Sequence, residues 1–450
     1  MATERPPVAI IGGGFAGLVA ARELRRQSIP AVVYEAGKQV AGLARSFRDD
    51  EGFSYDIGAH FITNRLAAQV GVESKCRTVK YYGETVLLGG RGYSYPFGLV
   101  RRPRFALDAA RAVAAQAVGG DPPESAAAWF RSRYGSALAE EVAIPLVEAW
   151  SGARATDLAP SVGDKMASSV GHTLFLKLAS RLTRRAVASG YCREQPESVR
   201  VWHVYPEDGV ATLCDELARG LGDGVRLESP VEAILVEGER AVGIRVNGIE
   251  IEASAEVSTA PVHVLARLVT GTAAVGHLGR FRYRPMAFVN LRLVGRKLLP
   301  DVVTWTPESG FPFFRLTEAP LSMPWLAPAG KTLITADLGC EVGDPLWKTP
   351  DEQLGELCLS HLERIIPDAR RRYLGCHVVR TPIAYPVFLK AYEPERQRLE
   401  QGTGVERLYS IGRNGEFAHI LMEDVYWRTL RRVADIVTAK QPGRSAPQPA

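Results

Sequence analysis

The chain has 450 residues, which is too long for one simple core and predicts two or three compact lobes. Its hydrophobic content of 46% and charged content of 23% exclude a disordered or fibrous protein. The 55 lysine and arginine residues interleave with 50 aspartate and glutamate residues to give a net charge of +5, so the composition excludes nucleic acid as an expected partner.

The N-terminal segment has the pattern of a strand, a glycine turn and a helix. Residues 7–11 form a short apolar run closed by three glycines, and apolar residues then recur at helical spacing through Leu18, Ala21 and Leu24. A second β-branched run over 29–34 completes a βαβ unit of about 30 residues. The two strands are therefore expected to be parallel, with a right-handed crossover.

Alanine-rich segments predict helices over 105–118 and 125–150, with helical structure continuing to about Ser189. We expect Trp129 and Trp150 to pack between these helices. The chain then turns to short alternating runs that predict strands. These runs lie over 225–259 and over 281–340, and the second set is expected to form an antiparallel sheet.

Two amphipathic helices are predicted near the C-terminus, over 352–366 and 422–438. Glu423 and Asp424 stand at the start of the second helix, where carboxylates stabilise the helix dipole, so we expect a structural role for them. The last ten residues, 441–450, have the composition of a disordered tail.

The six cysteines stand far apart, with no close pair that suggests a metal cage or a redox dithiol. They predict reduced thiols and a cytoplasmic location. The apolar stretch from Val8 to Ala21 is interrupted by glycines and differs from a signal sequence. No apolar run reaches the roughly 20 residues that span a bilayer, so we expect no membrane span. The oligomeric state stays open.

The glycine turn has the spacing of a dinucleotide site. Gly12 permits the tight turn, Gly14 keeps phosphate oxygens clear of a side chain, and Gly17 lets the helix pack closely on the strand. The phosphates would meet exposed N–H groups at the positive end of the helix dipole. Glu35 stands 18 residues after Gly17, where its carboxylate can accept hydrogen bonds from ribose hydroxyls. The sequence therefore predicts an adenine dinucleotide here.

Later segments favour FAD over NAD. Residues 55–63, YDIGAHFIT, and residues 408–425, LYSIGRNGEFAHILMEDV, resemble the flavin-facing and flavin-closing motifs of glutathione-reductase-like flavoproteins. The likeness is to the branch that contains amine oxidases, protoporphyrinogen-oxidase-like proteins and UDP-galactopyranose mutases. That branch carries a Gly-Gly pair after the ribose acid, where this chain has Ala41 and Gly42. Alanine is disfavoured at position 41 if the turn needs a positive φ.

The resemblance extends over nearly the whole chain and implies an α/β fold with FAD as cofactor. It implies a Rossmann-type, glutathione-reductase-like FAD-binding domain and a second, substrate lobe of helices and antiparallel sheet. The FAD-binding domain would comprise three separate parts, 1–80, 204–268 and 384–440. The substrate lobe would comprise a helical part, 81–203, and a sheet part, 269–383, with the tail at 441–450.

The resemblance also implies which residues contact the cofactor. Gly412 and Arg413 would lie by the ribityl-pyrophosphate, and residues 420–422 would begin a helix whose N–H groups point at the flavin pyrimidine. The full implied set is Gly12, Gly14, Phe15, Ala16, Gly17, Glu35, Ala36, Gly42, Leu43, Ala44, Gly58, Ala59, His60, Val231, Ala260, Gly412, Arg413, Ile420, Leu421 and Met422.

Four residues are candidates for substrate chemistry. His60 matches the mutase branch's Gly-x-His and could act as an acid, a base or an orienting donor, or be a hydrogen-bonded core residue. Arg315 and Tyr385 match residues of that branch that reach the substrate diphosphate. The alternatives are a surface salt bridge for Arg315 and an aromatic core position for Tyr385. His419 stands where the mutases carry tyrosine, and Leu421 replaces an acidic residue there.

Three functions remain open on the sequence. The leading hypothesis is an oxidoreductase in which a C–H bond of an amine or an electron-rich ring gives hydride to flavin N5. The second is a mutase without net redox, in which reduced N5 attacks a sugar's anomeric carbon while Arg315 and Tyr385 hold the diphosphate. The third is a flavin-binding scaffold without turnover. The first two imply a small-molecule substrate.

Overall fold

A parallel sheet of five strands, here the dinucleotide sheet, organises the N-terminal part of the fold. The computed structural model describes residues 6–117, 119, 122–165 and 170–439, so the predicted tail over 441–450 lies outside the described residues. All neighbouring strands of this sheet run parallel. In spatial order they are Val225–Arg226, Ala31–Tyr34, Val8–Ile11, Ala255–Ser258 and Leu408–Ser410.

The central strand of this sheet, Val8–Ile11, is buried along its whole length. It pairs with Ala31–Tyr34 on one side and Ala255–Ser258 on the other, and the helix Phe15–Arg26 packs beside it. An apolar run without alternation is what burial on both faces demands. One face lies in a hydrophobic cluster with helix Phe15–Arg26, and the other lies in a cluster with the strands Val231–Glu237 and Arg240–Val246. The predicted βαβ unit is therefore confirmed. A second long helix, Met422–Ala439, packs on Phe15–Arg26.

A seven-stranded sheet, here the substrate sheet, forms the second large layer. Its long strands Tyr283–Val294 and Lys331–Gly339 pair antiparallel, as the alternation over 281–340 predicted. Apart from one parallel pair between Val303–Trp305 and Glu84–Leu88, its strands are antiparallel. In spatial order they are Tyr373–Pro386, Tyr283–Val294, Lys331–Gly339, Arg315–Thr317, Val303–Trp305, Glu84–Leu88 and Arg91–Ser94.

Sequence patterns missed three strands of this sheet. Pro382 and Gly375 argue against a strand over 373–386, yet both stand beside register shifts where the ladder is already interrupted. The hairpin over 84–94 turns at Gly89 and Gly90, which both have positive φ values, 57° and 72°. A Gly-Gly pair of this kind is a known signal for a two-residue hairpin turn. The part of the chain predicted to be helical, 81–203, therefore also supplies two strands.

Smaller sheets complete the β-structure. Four strands form a layer beside the dinucleotide sheet: Ile249–Glu252, Arg240–Val246, Val231–Glu237 and Val269–Thr270. The runs within 225–259 predicted the first three, and the fourth lies outside that range. The remaining strands are Ser46–Arg48 with Ser54–Asp56, and Ile62–Thr63 with His203–Pro206 and Cys76–Thr78.

The predicted helices form with shifted ends. The region over 125–150 divides at Gly135, whose φ is 80°, and the helical region ends at Thr183 instead of Ser189 because Arg184 takes a φ of 53°. Described α-helices are Phe15–Arg26, Asn64–Val70, Phe97–Val100, Pro103–Ala117, Ala126–Tyr134, Ser136–Leu138, Ile144–Ser151, Val170–Thr183, Thr212–Leu221, Val262–Leu268, Ala319–Ser322, Pro345–Lys348, Asp351–Leu362, Ala369–Arg372, Glu393–Gln401, Gly412–Gly415 and Met422–Ala439. Within the described ranges, no helix combines the length and apolar character needed to cross a bilayer.

Candidate functional site

A crevice for a ligand opens at the carboxyl ends of the dinucleotide strands. Gly12 follows the central strand, Glu35 the second, Thr259 the strand Ala255–Ser258, and Ile411 the strand Leu408–Ser410. In open parallel sheets, ligands bind at the carboxyl ends of the strands, between two neighbouring strands whose following connections run to opposite faces of the sheet. The first and last strands of this sheet, Val8–Ile11 and Leu408–Ser410, both pair with Ala255–Ser258. The fold therefore brings together segments that lie about 400 residues apart in the sequence.

Each glycine of the turn has the geometry that its predicted role requires. Gly12 has a φ of 103°, and a Cβ there would lie 2.4 Å from Thr259 Oγ1. A Cβ on Gly17 would lie 2.1 Å from the carbonyl oxygen of Gly12, so only glycine allows the helix to approach the strand. A Cβ on Gly14 would meet nothing within 4 Å, because that direction faces the open crevice. Phe15 and Ala16 follow, buried in the first turn of the helix.

Glu35 holds the turn from the neighbouring strand. One carboxylate oxygen accepts a hydrogen bond of 2.7 Å from the backbone N–H of Gly13, and the other accepts one of 2.8 Å from the N–H of Gly37. The residue is only half-buried, and each carboxylate oxygen keeps a lone pair beyond these two hydrogen bonds. Ala36 is exposed beside it. This carboxylate can therefore shape the turn and accept ribose hydroxyls together.

The segment after Glu35 confirms the backbone requirement at position 41. Ala41 has a φ of 89° and is buried, and its N–H donates a 3.0 Å hydrogen bond to the carbonyl oxygen of Gly13. It precedes a short 3-10 turn formed by Gly42, Leu43 and Ala44. A positive φ favours glycine, so alanine is strained at this point of the crevice.

Val231 and Ala260 lie along the same crevice. Ser229, two residues before Val231, donates its N–H to the carbonyl oxygen of Glu35 at 2.9 Å. Ala260 follows Thr259, whose hydroxyl donates to the carbonyl oxygen of Ile11 at 2.9 Å. Both predicted contact residues are half-buried. Thr259 was not predicted as a site residue, because nothing in the local sequence shows that this threonine contacts Gly12.

The flavin-facing segment has a glycine and a buried polar cluster. Gly58 has a φ of 82°, and a Cβ there would lie 3.2 Å from the ring of Phe288. After Ala59, the imidazole of His60 places Nδ1 3.6 Å from the carboxylate of Asp56. Asp56 is buried and accepts hydrogen bonds from the hydroxyls of Ser46 and Tyr205. His60 Nδ1 has no hydrogen bond among the described residues, although it is buried.

The C-terminal segment closes the crevice from the opposite side. Gly412 has a φ of 80°, and a Cβ there would lie 2.6 Å from the side chain of Ala16. Ile420 is buried, and the last helix begins at Met422, with Leu421 accepting a hydrogen bond from the Val425 N–H at 3.0 Å. The predicted helix start is confirmed.

Glu423 and Asp424 serve the structure at this helix start. Buried Glu423 accepts hydrogen bonds from the hydroxyl of Thr63 and from the guanidinium of Arg65. Asp424 accepts a 2.8 Å hydrogen bond from the N–H of Arg193. Both carboxylates therefore tie the last helix to distant segments, which agrees with the structural role expected from the sequence.

The arrangement fits FAD. The open direction at Gly14 leaves room for phosphate oxygens, and the Glu35 carboxylate faces the place for a ribose. Along the path toward the substrate sheet, Arg45 Nε, His60 Nδ1 and Arg413 Nε are buried without a hydrogen bond among the described residues. Buried polar atoms are normally satisfied, so these three point to a polar group that completes them.

An aromatic wall stands where the C-terminal segment meets the substrate sheet. The rings of Trp150, Tyr385 and His419 contact one another, with centroid separations of 5.5, 5.1 and 5.1 Å. All three are half-buried. Trp129 packs between helical segments as expected, since a Cβ on Gly163 would lie 2.4 Å from its ring. Trp150 also packs against the helical cluster, and in addition its ring contacts Tyr385, a contact that no local pattern reveals.

Two arginines flank Tyr385. Arg315 is ion-paired with buried Asp337 on the adjacent strand, and its guanidinium carbon lies 5.6 Å from the ring centre of Trp305. The guanidinium carbon of Arg413 lies 5.1 Å from the ring centre of Tyr385, and its Nη2 donates to the Ala384 carbonyl oxygen at 3.0 Å. Arg413 therefore extends its side chain toward the substrate sheet.

The electrostatics of the two cations differ. Burial lowers the pKa of Arg413, Tyr385 opposes that shift, and nearby Arg315 adds to it. Burial also acts to lower the pKa of Arg315, but Asp337 outweighs it and holds the pKa above its usual range. Arg315 therefore forms a salt bridge, as the alternative reading expected, but the bridge is buried and not on the surface. Asp337 carries no sequence signal, because it stands in an otherwise apolar strand.

Comparison with known families gives one match over most of the chain. The model of the family described as flavin containing amine oxidoreductase matches residues 15–436. A flavin-containing monooxygenase of Arabidopsis thaliana, FMO GS-OX-like 2, is 53% identical over 49 residues, which is 10% of each chain. The matched segments span 8% to 21% of the length of the first curated relatives.

Comparison with solved structures shows the same fold at low identity. A reduced UDP-galactopyranose mutase superposes with a TM-score of 0.77 and 17% identity, with 96% of each chain covered. A protein described as a protoporphyrinogen oxidase from Exiguobacterium gives 0.74 and 18%, covering 97% of this chain and 99% of that one. A putrescine oxidase bound to putrescine gives 0.68 and 16%, covering 96% and 99%. The α/β fold and the flavin cofactor predicted from the sequence are confirmed.

Replacing Glu35 with glutamine should weaken FAD binding. The amide keeps the size of the side chain but removes its charge and one acceptor, and hydrogen bonds to charged groups contribute about 1.5–3 kcal/mol. We expect the dissociation constant for FAD to rise by about ten- to a hundredfold, measured by fluorescence titration of the apoprotein. Glu232→Gln is the control, since Glu232 accepts only an exposed backbone N–H at 3.1 Å. Equal affinities in the two variants would refute the ribose contact.

Replacing Ala41 with glycine should stabilise the apoprotein. Glycine adopts positive φ without the steric penalty of alanine, so we expect the free energy of unfolding in urea to rise by about 1 kcal/mol. Ala44→Gly is the matched control, because Ala44 is buried in the same turn with an ordinary φ, and it should destabilise by about 0.5–1 kcal/mol. A loss of stability in Ala41→Gly would contradict the strained turn.

Proposed function

Because this chain belongs to the family of flavin-containing amine oxidoreductases, we propose that it oxidises a C–H bond of an amine or of an electron-rich ring. FAD supplies the hydride acceptor, N5, and oxygen or another acceptor later reoxidises it. The protein's own part is to hold the substrate carbon against the flavin and to exclude water. Its membership of this family supports an enzyme that uses a flavin, and the specific reaction is our inference.

The aromatic wall of Trp150, Tyr385 and His419 is the observation that supports oxidation. Aromatic faces bind flat or apolar groups and, through their quadrupole, also bind the cationic form of an amine. The phenol of Tyr385 and the imidazole of His419 add donors that can fix the substrate's orientation. A substrate held by such a wall is oriented by shape and stacking rather than by charge.

The state of Arg315 also supports oxidation over nucleotide-sugar chemistry. Arg315 donates Nη2 to Asp337, so a diphosphate would share this guanidinium with a buried carboxylate, although Nε is without a hydrogen bond among the described residues. Its positive charge is already balanced by that buried carboxylate. The replacements His419 and Leu421, at positions where the mutases carry a tyrosine and an acid, point the same way.

One observation favours the mutase as a second candidate. Arg413 lies against Tyr385 with its Nε buried and without a hydrogen bond among the described residues. Arg315, Arg413 and Asp337 together leave one positive charge at this wall. A buried cation without a counter-charge is costly, and a diphosphate or a carboxylate on the substrate would neutralise it. In that reaction the arginines and Tyr385 would hold the anion while reduced flavin acts as nucleophile.

Anaerobic titration of the FAD-loaded protein distinguishes the two reactions. We expect alkyl and aromatic amines, or electron-rich ring compounds, to bleach the absorbance of oxidised flavin. In parallel, dithionite-reduced protein is incubated with UDP-galactopyranose and analysed for the furanose isomer. Isomer formation only by reduced protein, with no bleaching by any amine or ring compound, would replace oxidation by the mutase reaction.

Replacing Trp150 with phenylalanine should slow flavin reduction. The smaller ring loses part of its contact with Tyr385 and His419, and aromatic pairs contribute about 0.5–1.5 kcal/mol, so we expect an effect of about two- to tenfold. Trp129→Phe is the matched control, because Trp129 packs against Gly163 in the helical region, where a Cβ would lie 2.4 Å from its ring. Stopped-flow absorbance with the best amine measures both. Equal effects in the two variants would argue against a substrate at the aromatic wall.

A further inference from the structure

The helix Val170–Thr183 presents an apolar stripe to solvent. Phe175, Leu178 and Leu182 are 58%, 55% and 78% exposed, while Leu176 is fully buried against the protein. Positions separated by three and four residues share one face of a helix, so these three side chains form one stripe. A surface helix of a water-soluble fold normally turns its polar face outward. The outer face of this helix is therefore unusually apolar for a surface helix.

The stripe continues onto a neighbouring segment. Phe97, Phe175, Leu178 and Arg181 line one shallow groove of about 280 Å³. Tyr95, at 40% exposure, lies next to it, since the ammonium of Lys177 stands 5.5 Å from the Tyr95 ring centre. We call the five residues Tyr95, Phe97, Phe175, Leu178 and Leu182 the apolar patch. Large exposed apolar patches on a monomer mark interaction sites.

Positive charge is concentrated in the segment that carries most of the apolar patch. The segment 175–185 contains four basic residues and no acidic one: Lys177, Arg181, Arg184 and Arg185, here the basic rim. No ion pair between described residues involves any of the four. The chain as a whole is nearly balanced, with 55 basic and 50 acidic residues. The rim is therefore a local feature that suits an anionic partner.

We propose that the apolar patch and the basic rim dock this protein onto the surface of an anionic lipid bilayer. Phenylalanine and leucine enter the boundary between headgroups and acyl chains, while lysine and arginine bind the lipid phosphates around them. Both parts of the surface are needed, since apolar insertion and charge attraction add. A second copy of this chain is a poorer occupant, because a two-fold contact would bring one basic rim against the other.

The proposed docking surface adjoins the candidate site. The N–H of Tyr95 donates to the carbonyl oxygen of Glu84 at 2.8 Å, and the Glu84 carboxylate accepts from Trp305 Nε1 at 2.8 Å. Trp305 in turn lies under Arg315. Docking would thus hold the outer strands of the substrate sheet close to the lipid. The proposal does not depend on which reaction the flavin performs.

Vesicle flotation tests the docking. FAD-loaded protein is mixed with vesicles of phosphatidylcholine alone or of phosphatidylcholine and phosphatidylglycerol in equal parts, at low and high salt. We expect the protein to bind the anionic vesicles only, and we expect high salt to weaken this binding.

Leu182→Ser should lower the affinity for the anionic vesicles about tenfold. Arg184→Gln should lower it about fivefold at low salt. Leu178→Ser gives a second apolar variant, and flavin content reports folding for each protein.

Matched surface controls make the outcome decisive. Ile249→Ser removes an apolar side chain of similar exposure, 67%, from the four-stranded layer, and Arg371→Gln removes an exposed charge elsewhere. Neither should change vesicle binding. Absence of binding to anionic vesicles, or equal loss in the controls, would overturn the proposal. A concentration-dependent dimer in sedimentation would also overturn the proposal, if Leu182→Ser abolished the dimer and the protein bound no vesicles. Such a dimer would show that a second copy of the chain covers the apolar patch.

Discussion

The close approach of helix Phe15–Arg26 to the central strand is the constraint on which the rest of the structure depends. A Cβ on Gly17 would lie 2.1 Å from the Gly12 carbonyl oxygen, so this contact exists only because Gly17 has no side chain. It aims the first turn of the helix, with its exposed N–H groups, at the crevice. The last helix, Met422–Ala439, packs on the same helix, and Gly412 packs on Ala16. The two ends of the chain therefore meet around one glycine turn.

This arrangement explains how one crevice can serve two purposes. The dinucleotide sheet supplies backbone donors and the Glu35 carboxylate, which suit a cofactor that stays bound. The substrate sheet supplies Arg315 and Tyr385, and the helix Ile144–Ser151 supplies Trp150, which suit a substrate that comes and goes. The segment from Gly412 to His419 belongs to both, because its backbone closes the crevice while Arg413 and His419 reach Tyr385.

A structural feature can be predicted from the sequence when the residues that form it lie close together in the chain. The glycine turn and Glu35 are predictable because their geometry is set within one βαβ unit. Ala41 could be identified as an anomaly, since the family's glycine exposed the need for a positive φ that the structure then confirmed. The pairing of Arg315 with Asp337 and the approach of Trp150 to Tyr385 join distant segments, and no local pattern encodes them. The Gly89–Gly90 pair is a local signal for a hairpin, but the hairpin was missed because the alanine-rich segments nearby predict helices.

The central claim is that phosphates of FAD dock over Gly14, and Gly14→Val tests it most directly. A Cβ at this position meets nothing within 4 Å, so the variant should fold and unfold in urea as the parent protein does. Its side chain would occupy the space assigned to the phosphates. Flavin absorbance of the purified variant should therefore show little or no FAD while stability of the apoprotein is retained. A stable variant that carries FAD at the parent ratio would contradict the account.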